Sequence, residues 1–230
     1  MSSIVLNRKY VDGFLQAELL KGFQPSALSL SILDAMCDAL DTDDAFLVGG
    51  CLRDEFNEED PRDYDIHVDF RSVLKAWKQK NPEADFKDRE DIILDLLDDS
   101  EHFQLNGSVK TTRVTALETG QRKYIKSFPL SFNNHAVDLT LIPEDISLEE
   151  RAMYGDAVVN SIAADRNGNV MSHPHFEEDM EDGTYAIRVK GEYDQARSMQ
   201  RFTDKQMTGH YLGEFSVETS DEYLASLQNT

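Results

Sequence analysis

Cysteine is nearly absent from the 230-residue chain: only Cys37 and Cys51 occur, with no paired spacing. Neither a disulfide framework nor a zinc site is suggested. Long apolar runs are missing as well. No stretch approaches the ~18 apolar residues of a membrane-spanning helix, and the opening "MSSIVLNRKY" has no apolar core of a secretory leader. Basic residues are scarce, with 23 Lys and Arg against 44 Asp and Glu, a formal charge of -21. Such a field repels nucleic acid unless basic residues cluster locally or divalent cations neutralise a site, which counts against a long nucleic-acid track but not against contact with one terminus. The expectation is a soluble protein of the reducing, cytoplasmic compartment with no membrane partner.

What is present suffices for a packed core. Hydrophobic residues make up 40% of the chain and charged ones 29%, consistent with one sizeable domain or one domain plus a small appendage. Residues 27 to 40, "ALSLSILDAMCDAL", place Leu28, Ile32, Ala35, Met36 and Leu40 near one helical face. "AFLVGG" then reads as a short buried strand entering a glycine turn. "RSVLKAWKQK" and "REDIILDLLDD" are two further helical patterns. From residue 109 the pattern turns to strands: "VKTTRVTAL", "KYIKSFPLSF" and "HAVDLTLI", the last two joined by Asn133 and Asn134, a pair suited to a tight hairpin. A helix is expected from Ser147, with Glu149 and Glu150 in its first turn, and the acidic tail from about Ser216 reads as peripheral.

The stretch "FLVGGCLRDEFNEEDPRDYDIHVDF" concentrates the chemistry. Along "DYDIHVDF", Asp63, Asp65, His67 and Asp69 share one strand face while Tyr64, Ile66, Val68 and Phe70 share the other. Carboxylates at i and i+2 lie roughly 6 to 7 Å apart at the backbone, close enough to ligate one divalent ion that relieves their repulsion. Asp138 is a single carboxylate on the polar side of another half-buried strand; were the two strands neighbours, it would complete a three-carboxylate cluster. Gly49 and Gly50 end a strand and open a helix, so free backbone N–H groups would face an anion such as phosphate. Arg53 either adds charge to that anion or pairs with Asp54. His67 reads as structural or solvated, and His173 and His175 lack the further ligands of a metal site.

Each feature alone is ordinary, being a turn, a wet strand and one surface acid. Their order supplies the parts needed for metal-assisted nucleotidyl transfer. "VGGCLRD" followed by "PRDYDI" resembles the signature of the polymerase-beta-type nucleotidyltransferases, in the branch of the bacterial poly(A) polymerases and CCA-adding tRNA nucleotidyltransferases. The usual Lys of that second motif is Arg62 here. Downstream, "GDAVVNSIAADRNGNV" resembles the family's stretch with an Asp and an Asn four residues on, which aligns Asp156 and Asn160 and places Asp165 to Val170 in a turn; Tyr154 and Gly155 stand where the family carries two arginines. "GEYDQARSMQRF" resembles the neck motif whose Asp and Arg read the incoming base, aligning Asp194 and Arg197, with Tyr193 in place of the family's Glu. An exposed helical ion pair is the other reading of Asp194 and Arg197.

The resemblance implies an α+β fold: a mixed, mainly antiparallel sheet of about five strands with helices packed on one face, plus a small helical neck. Residues 1–190 would form the nucleotidyltransferase head and 191–230 the neck remnant and tail. It implies catalytic, metal-holding roles for Asp63, Asp65 and Asp138, with two Mg2+ ions or Mn2+ in their place. Gly49, Gly50, Arg53, Asp156, Asn160, Asp194 and Arg197 would bind the nucleotide. The implied donor is an NTP, ATP or CTP, and the acceptor an RNA 3' end, most plausibly tRNA, reached alone or through a partner or dimer. The family's helical body and tail, which hold the tRNA, have no counterpart in these residues. A nucleotide-binding or interaction protein with little catalysis, and transfer of a nucleoside monophosphate to a protein or small molecule, are the alternatives.

Overall fold

The computed structural model describes residues 10–83, 88–115, 122–142, 147–207 and 215–228. Its chain order is β1 (Glu18–Leu19), α1 (Ala27–Leu40), β2 (Ala45–Val48), α2 (Gly50–Phe56), β3 (Asp63–Asp69), α3 (Phe70–Lys80), α4 (Arg89–Asp98) and β4 (Phe103–Leu105). Then come β5 (Lys110–Thr115), β6 (Arg122–Phe132), β7 (His135–Ile142), α5 (Leu148–Ala152), a 3-10 turn (Val158–Asn160), β8 (Ile162–Ala164) and β9 (Val170–Ser172). The chain closes with α6 (Phe176–Asp182), β10 (Thr184–Ala186), α7 (Glu192–Met207), β11 (Ser216–Glu218) and α8 (Ser220–Leu227). The part of the expected strand beyond Thr115 lies outside the described residues.

The architecture is α+β. A nine-stranded sheet runs in the order β1-β9-β8-β2-β3-β7-β6-β4, with β5 also paired to β6. It exceeds the expected five strands because several members are only two or three residues long, too short for any alternation to register in sequence. Every pairing in it is antiparallel except β3 with β7. Asn133 and Asn134 turn the β6–β7 hairpin with φ of 48° and 69°, the double positive φ that matches strand twist.

Tyr64, Ile66 and Val68 of β3 and Val137, Leu139 and Leu141 of β7 face one layer of helices, in a single core with Ile32, Leu33 and Met36 of α1, Leu52 of α2, Trp77 of α3 and Ile93 of α4. Helices are not confined to that side. Ala152 and Leu148 of α5 pack on Val48, Phe46, Ala163 and Met171, which puts α5 on the opposite sheet face. Ser147 caps α5 in a reciprocal box with Glu150, as its sequence position predicts.

The tail is not peripheral, contrary to the expectation from its acidity. β11 pairs in parallel with β10, and Tyr223 of α8 is 3% exposed. Its hydroxyl lies 3.3 Å from His173 Nε2, which bonds Asp12 at 2.9 Å; Arg188 also donates to Asp12, at 2.7 and 3.1 Å. One aromatic ring with a buried polar partner outweighs the solvation preference of its acidic neighbours. No described helix is long and apolar enough to cross a membrane.

Candidate active site

The parallel β3–β7 pair sets Asp65 directly opposite Asp138, and Asp63 opposite Ala136. Adjacent strands lie about 4.8 Å apart and residues i and i+2 about 6.6 Å apart, so the three carboxylates stand on one patch of one sheet face. The neighbour relationship required of Asp138 is therefore met. The far end of the same face is closed. Arg151 of α5 lies 3.1 Å from His67 Nδ1, Tyr154 stacks edge-on at 6.1 Å, and Asp69 accepts from Arg71 N–H as the cap of α3. His67 and Asp69 thus serve packing and capping.

Burial first, and then the charges of Asp63 and Asp138, pushes the Asp65 carboxyl up to about 7. Asp138 is raised too, by burial and by Asp63, against the opposing pull of Lys110. Among the described residues no group of three or more His, Cys, Asp and Glu side chains converges as a metal cluster. The donors nevertheless fit a hard divalent cation: three carboxylates on one patch, two of them raised by burial and by their neighbours' negative charge.

Positive charge reaches the patch from α7. Burial, and next to it Arg53, brings the Lys205 amine down to about 8, opposed by Asp54, Asp63 and Asp65. Arg201 Nη1 donates to Asp156 Oδ2 at 2.8 Å. Asp156 Oδ1 accepts from Asn160 Nδ2 at 3.1 Å, and Asn160 Oδ1 accepts from Arg53 Nη1. Arg53, 1% exposed, also donates to Asp54 Oδ1 at 2.9 and 3.1 Å. A continuous polar chain thus joins Arg53, Asn160, Asp156 and Arg201 across α2, the 3-10 turn and α7.

Gly49 precedes α2 with φ of 67°, a conformation that L side chains rarely adopt, and no side chain caps the helix. A Cβ on Gly50 would sit 3.4 Å from Arg53 Nη2, so the guanidinium lies against this turn. Gly155, one of the two positions without the family's arginine, has no room for a side chain. A Cβ there would fall 2.5 Å from the Asn160 carbonyl carbon and from Ser161 Oγ. Arg151 is buried at 3% exposure, with its guanidinium 5.4 Å from the Tyr154 ring.

Asp194 and Arg197 occupy the first turns of α7, Asp194 half-buried and Arg197 exposed. Arg197 lies over the Tyr193 ring at 5.9 Å, and no ion pair joins it to Asp194 among the described residues. Arg201 and Lys205 escaped sequence reasoning. Their signal was available as a four-residue spacing, Tyr193, Arg197, Arg201 and Lys205, which puts successive side chains on neighbouring turns.

A mixed sheet thus carries a carboxylate patch on one face, within electrostatic reach of Lys205 from α7. No protein-family profile matches the chain, and no curated protein does. Among solved structures, the chain is similar to a Thermotoga maritima CCA-adding enzyme complexed with tRNA, at 16% identity and a TM-score of 0.47, covering 94% of this chain and 44% of that one. It is similar to the apo form I of a CCA-adding enzyme at 15% identity and a TM-score of 0.46, with coverages of 89% and 45%. A tRNA nucleotidyltransferase complexed with a primer tRNA and an incoming ATP analogue follows at 18% identity and a TM-score of 0.41, with coverages of 78% and 45%. The chain spans less than half the length of each of these structures' chains.

Proposed function

We propose that the chain is a metal-dependent nucleotidyltransferase that transfers a nucleoside monophosphate from ATP or CTP to a hydroxyl, foremost that of a tRNA 3' end in the cytoplasm. The observation that carries this is the in-register Asp65–Asp138 pair, with Asp63 two residues away, approached by the cationic Lys205. Residues 1–190 act as the catalytic head and α7 as its nucleotide-facing neck. Mg2+ ions, or Mn2+ in their place, held by Asp63, Asp65 and Asp138 would supply Lewis acidity at the α-phosphate.

This chain's residues do the rest. The Gly49–Gly50 turn offers backbone N–H groups to the outer phosphates, and Arg53 lends charge beneath it. Lys205 neutralises phosphate charge from the opposite side. Asp138, whose carboxyl is raised, accepts the proton of the acceptor hydroxyl as that oxygen bonds the α-phosphorus and pyrophosphate departs. Asp156 and Asn160 hold the wall between α2 and α7, and Asp194 and Arg197 address the base edge.

Incubation with each α-labelled NTP, Mg2+ and total RNA tests the proposal. Labelled tRNA is the expected product. Labelled protein or small molecule would redirect the acceptor, and NTP binding with no labelled product would leave a nucleotide-binding protein without turnover.

A further inference from the structure

An aromatic side chain exposed on a helix is ordinary in isolation. Tyr193, 74% exposed, is not isolated. It begins the four-residue series that continues through Arg197 and Arg201 to Lys205 along α7. Each step rises about 6 Å and drifts about 40° around the axis, so the series covers about 18 Å while turning from solvent toward the interior. The inner members are committed: Lys205 lies within electrostatic reach of Asp54, Asp63 and Asp65, and Arg201 bonds Asp156. At the outer end the Arg197 guanidinium lies over the Tyr193 ring at 5.9 Å and leaves most of the ring in solvent. A series with cations inside and a flat ring outside has the polarity of a nucleotide, whose charge lies at one end and π-face at the other.

We propose that Tyr193 is a stacking platform for the base of the bound nucleoside triphosphate, set at the outer end of the α7 stripe whose inner end meets the phosphates. The inference rests on the function proposed above. Every base has a π-face, so the ring contributes affinity and leaves the choice of base to edge contacts. Asp194, next in sequence, is placed for such contacts. The phenol hydroxyl has no part in stacking, so phenylalanine substitutes for it.

The test measures equilibrium binding of ATP, CTP and inorganic triphosphate to the full chain with Mg2+ and no acceptor, for wild type, Tyr193→Ala and Tyr193→Phe. Wild type is expected to bind both NTPs about tenfold more tightly than triphosphate, a margin most of which Tyr193→Ala loses and all of which Tyr193→Phe keeps, with triphosphate binding equal in all three. If Tyr193→Ala binds NTPs as wild type does, the platform is overturned while the proposed function stands. Equal binding of NTP and triphosphate by wild type overturns it as well. If wild type binds neither ligand, the proposed function falls, and the platform with it.

Discussion

Gly155 lies so close to Asn160 that a methyl group on its α-carbon would sit 2.5 Å from the Asn160 carbonyl carbon and 2.6 Å from its oxygen. These contacts are with backbone, which cannot rotate away. Gly155→Ala should therefore shift the 3-10 turn that carries Asn160 and cost about 2–4 kcal/mol of stability. Urea unfolding would read it, and a variant with an unchanged midpoint would show that the contact yields without cost.

Asp63→Ala and Asp65→Ala should each abolish transfer. Asp65→Asn should do so while stabilising the metal-free protein at high pH. The folded-state value of Asp65, about 7, lies above its ordinary 3.8. The folded protein therefore holds that proton more tightly, and stability is lost as pH rises from about 4 through about 7. At pH 8 the amide should gain about 1–2 kcal/mol after allowance for the partly exposed site, or roughly 3–6 °C in Tm, and nothing at pH 4. Equal melting curves at pH 8 would contradict the crowding of the three carboxylates.

Lys205 carries a pH signature of a different kind. Its amine, brought down to about 8 by burial and by Arg53, loses its charge as pH rises past that value. Affinity for NTP should weaken between pH 7 and 9 in wild type. Lys205→Arg, charged throughout, should flatten that dependence. Identical profiles for the two proteins would remove Lys205 from phosphate binding.

The buried His173 adds a pH dependence of the opposite sign to that of Asp65. Burial holds its imidazole down to about 4, so it is neutral in the folded protein, with Nε2–H donated to Asp12 and Nδ1 accepting from His175 N–H. The unfolded chain binds a proton at this imidazole near pH 6.5, so the contribution of His173, present above that value, is lost as pH falls through the window from 6.5 to 4. His173→Gln should be less stable at pH 7 and should show a shallower loss between pH 6.5 and 4.5, measured by denaturant midpoints.

Local features were legible and distant pairings were not. Alternation along "DYDIHVDF" marked the open and buried faces of β3, the spacing of Ile32, Met36 and Leu40 marked α1, and two asparagines marked the hairpin, because each signal spans a few consecutive residues. The β3–β7 register was out of reach, since it joins Asp65 to Asp138 across about a third of the chain. So was the network of Asp12 with Arg188, 176 positions apart. The tail misled because its many carboxylates hid one buried ring, Tyr223. Arg201 and Lys205 were overlooked because α7 reads as solvated by composition, and only Asp156 and the carboxylate patch give those cations a purpose.

β10 precedes α7 and β11 lies beside β10 in parallel, and Gln206 near the end of α7 donates to the Phe215 carbonyl just before β11 at 3.2 Å, so the helix is tied at both ends to one small ribbon. A beam fixed at both ends does not swing like a lever. Under the proposed function, selection among nucleotides would then fall to side-chain rotation along α7, a fast and short-range adjustment, rather than to movement of the helix.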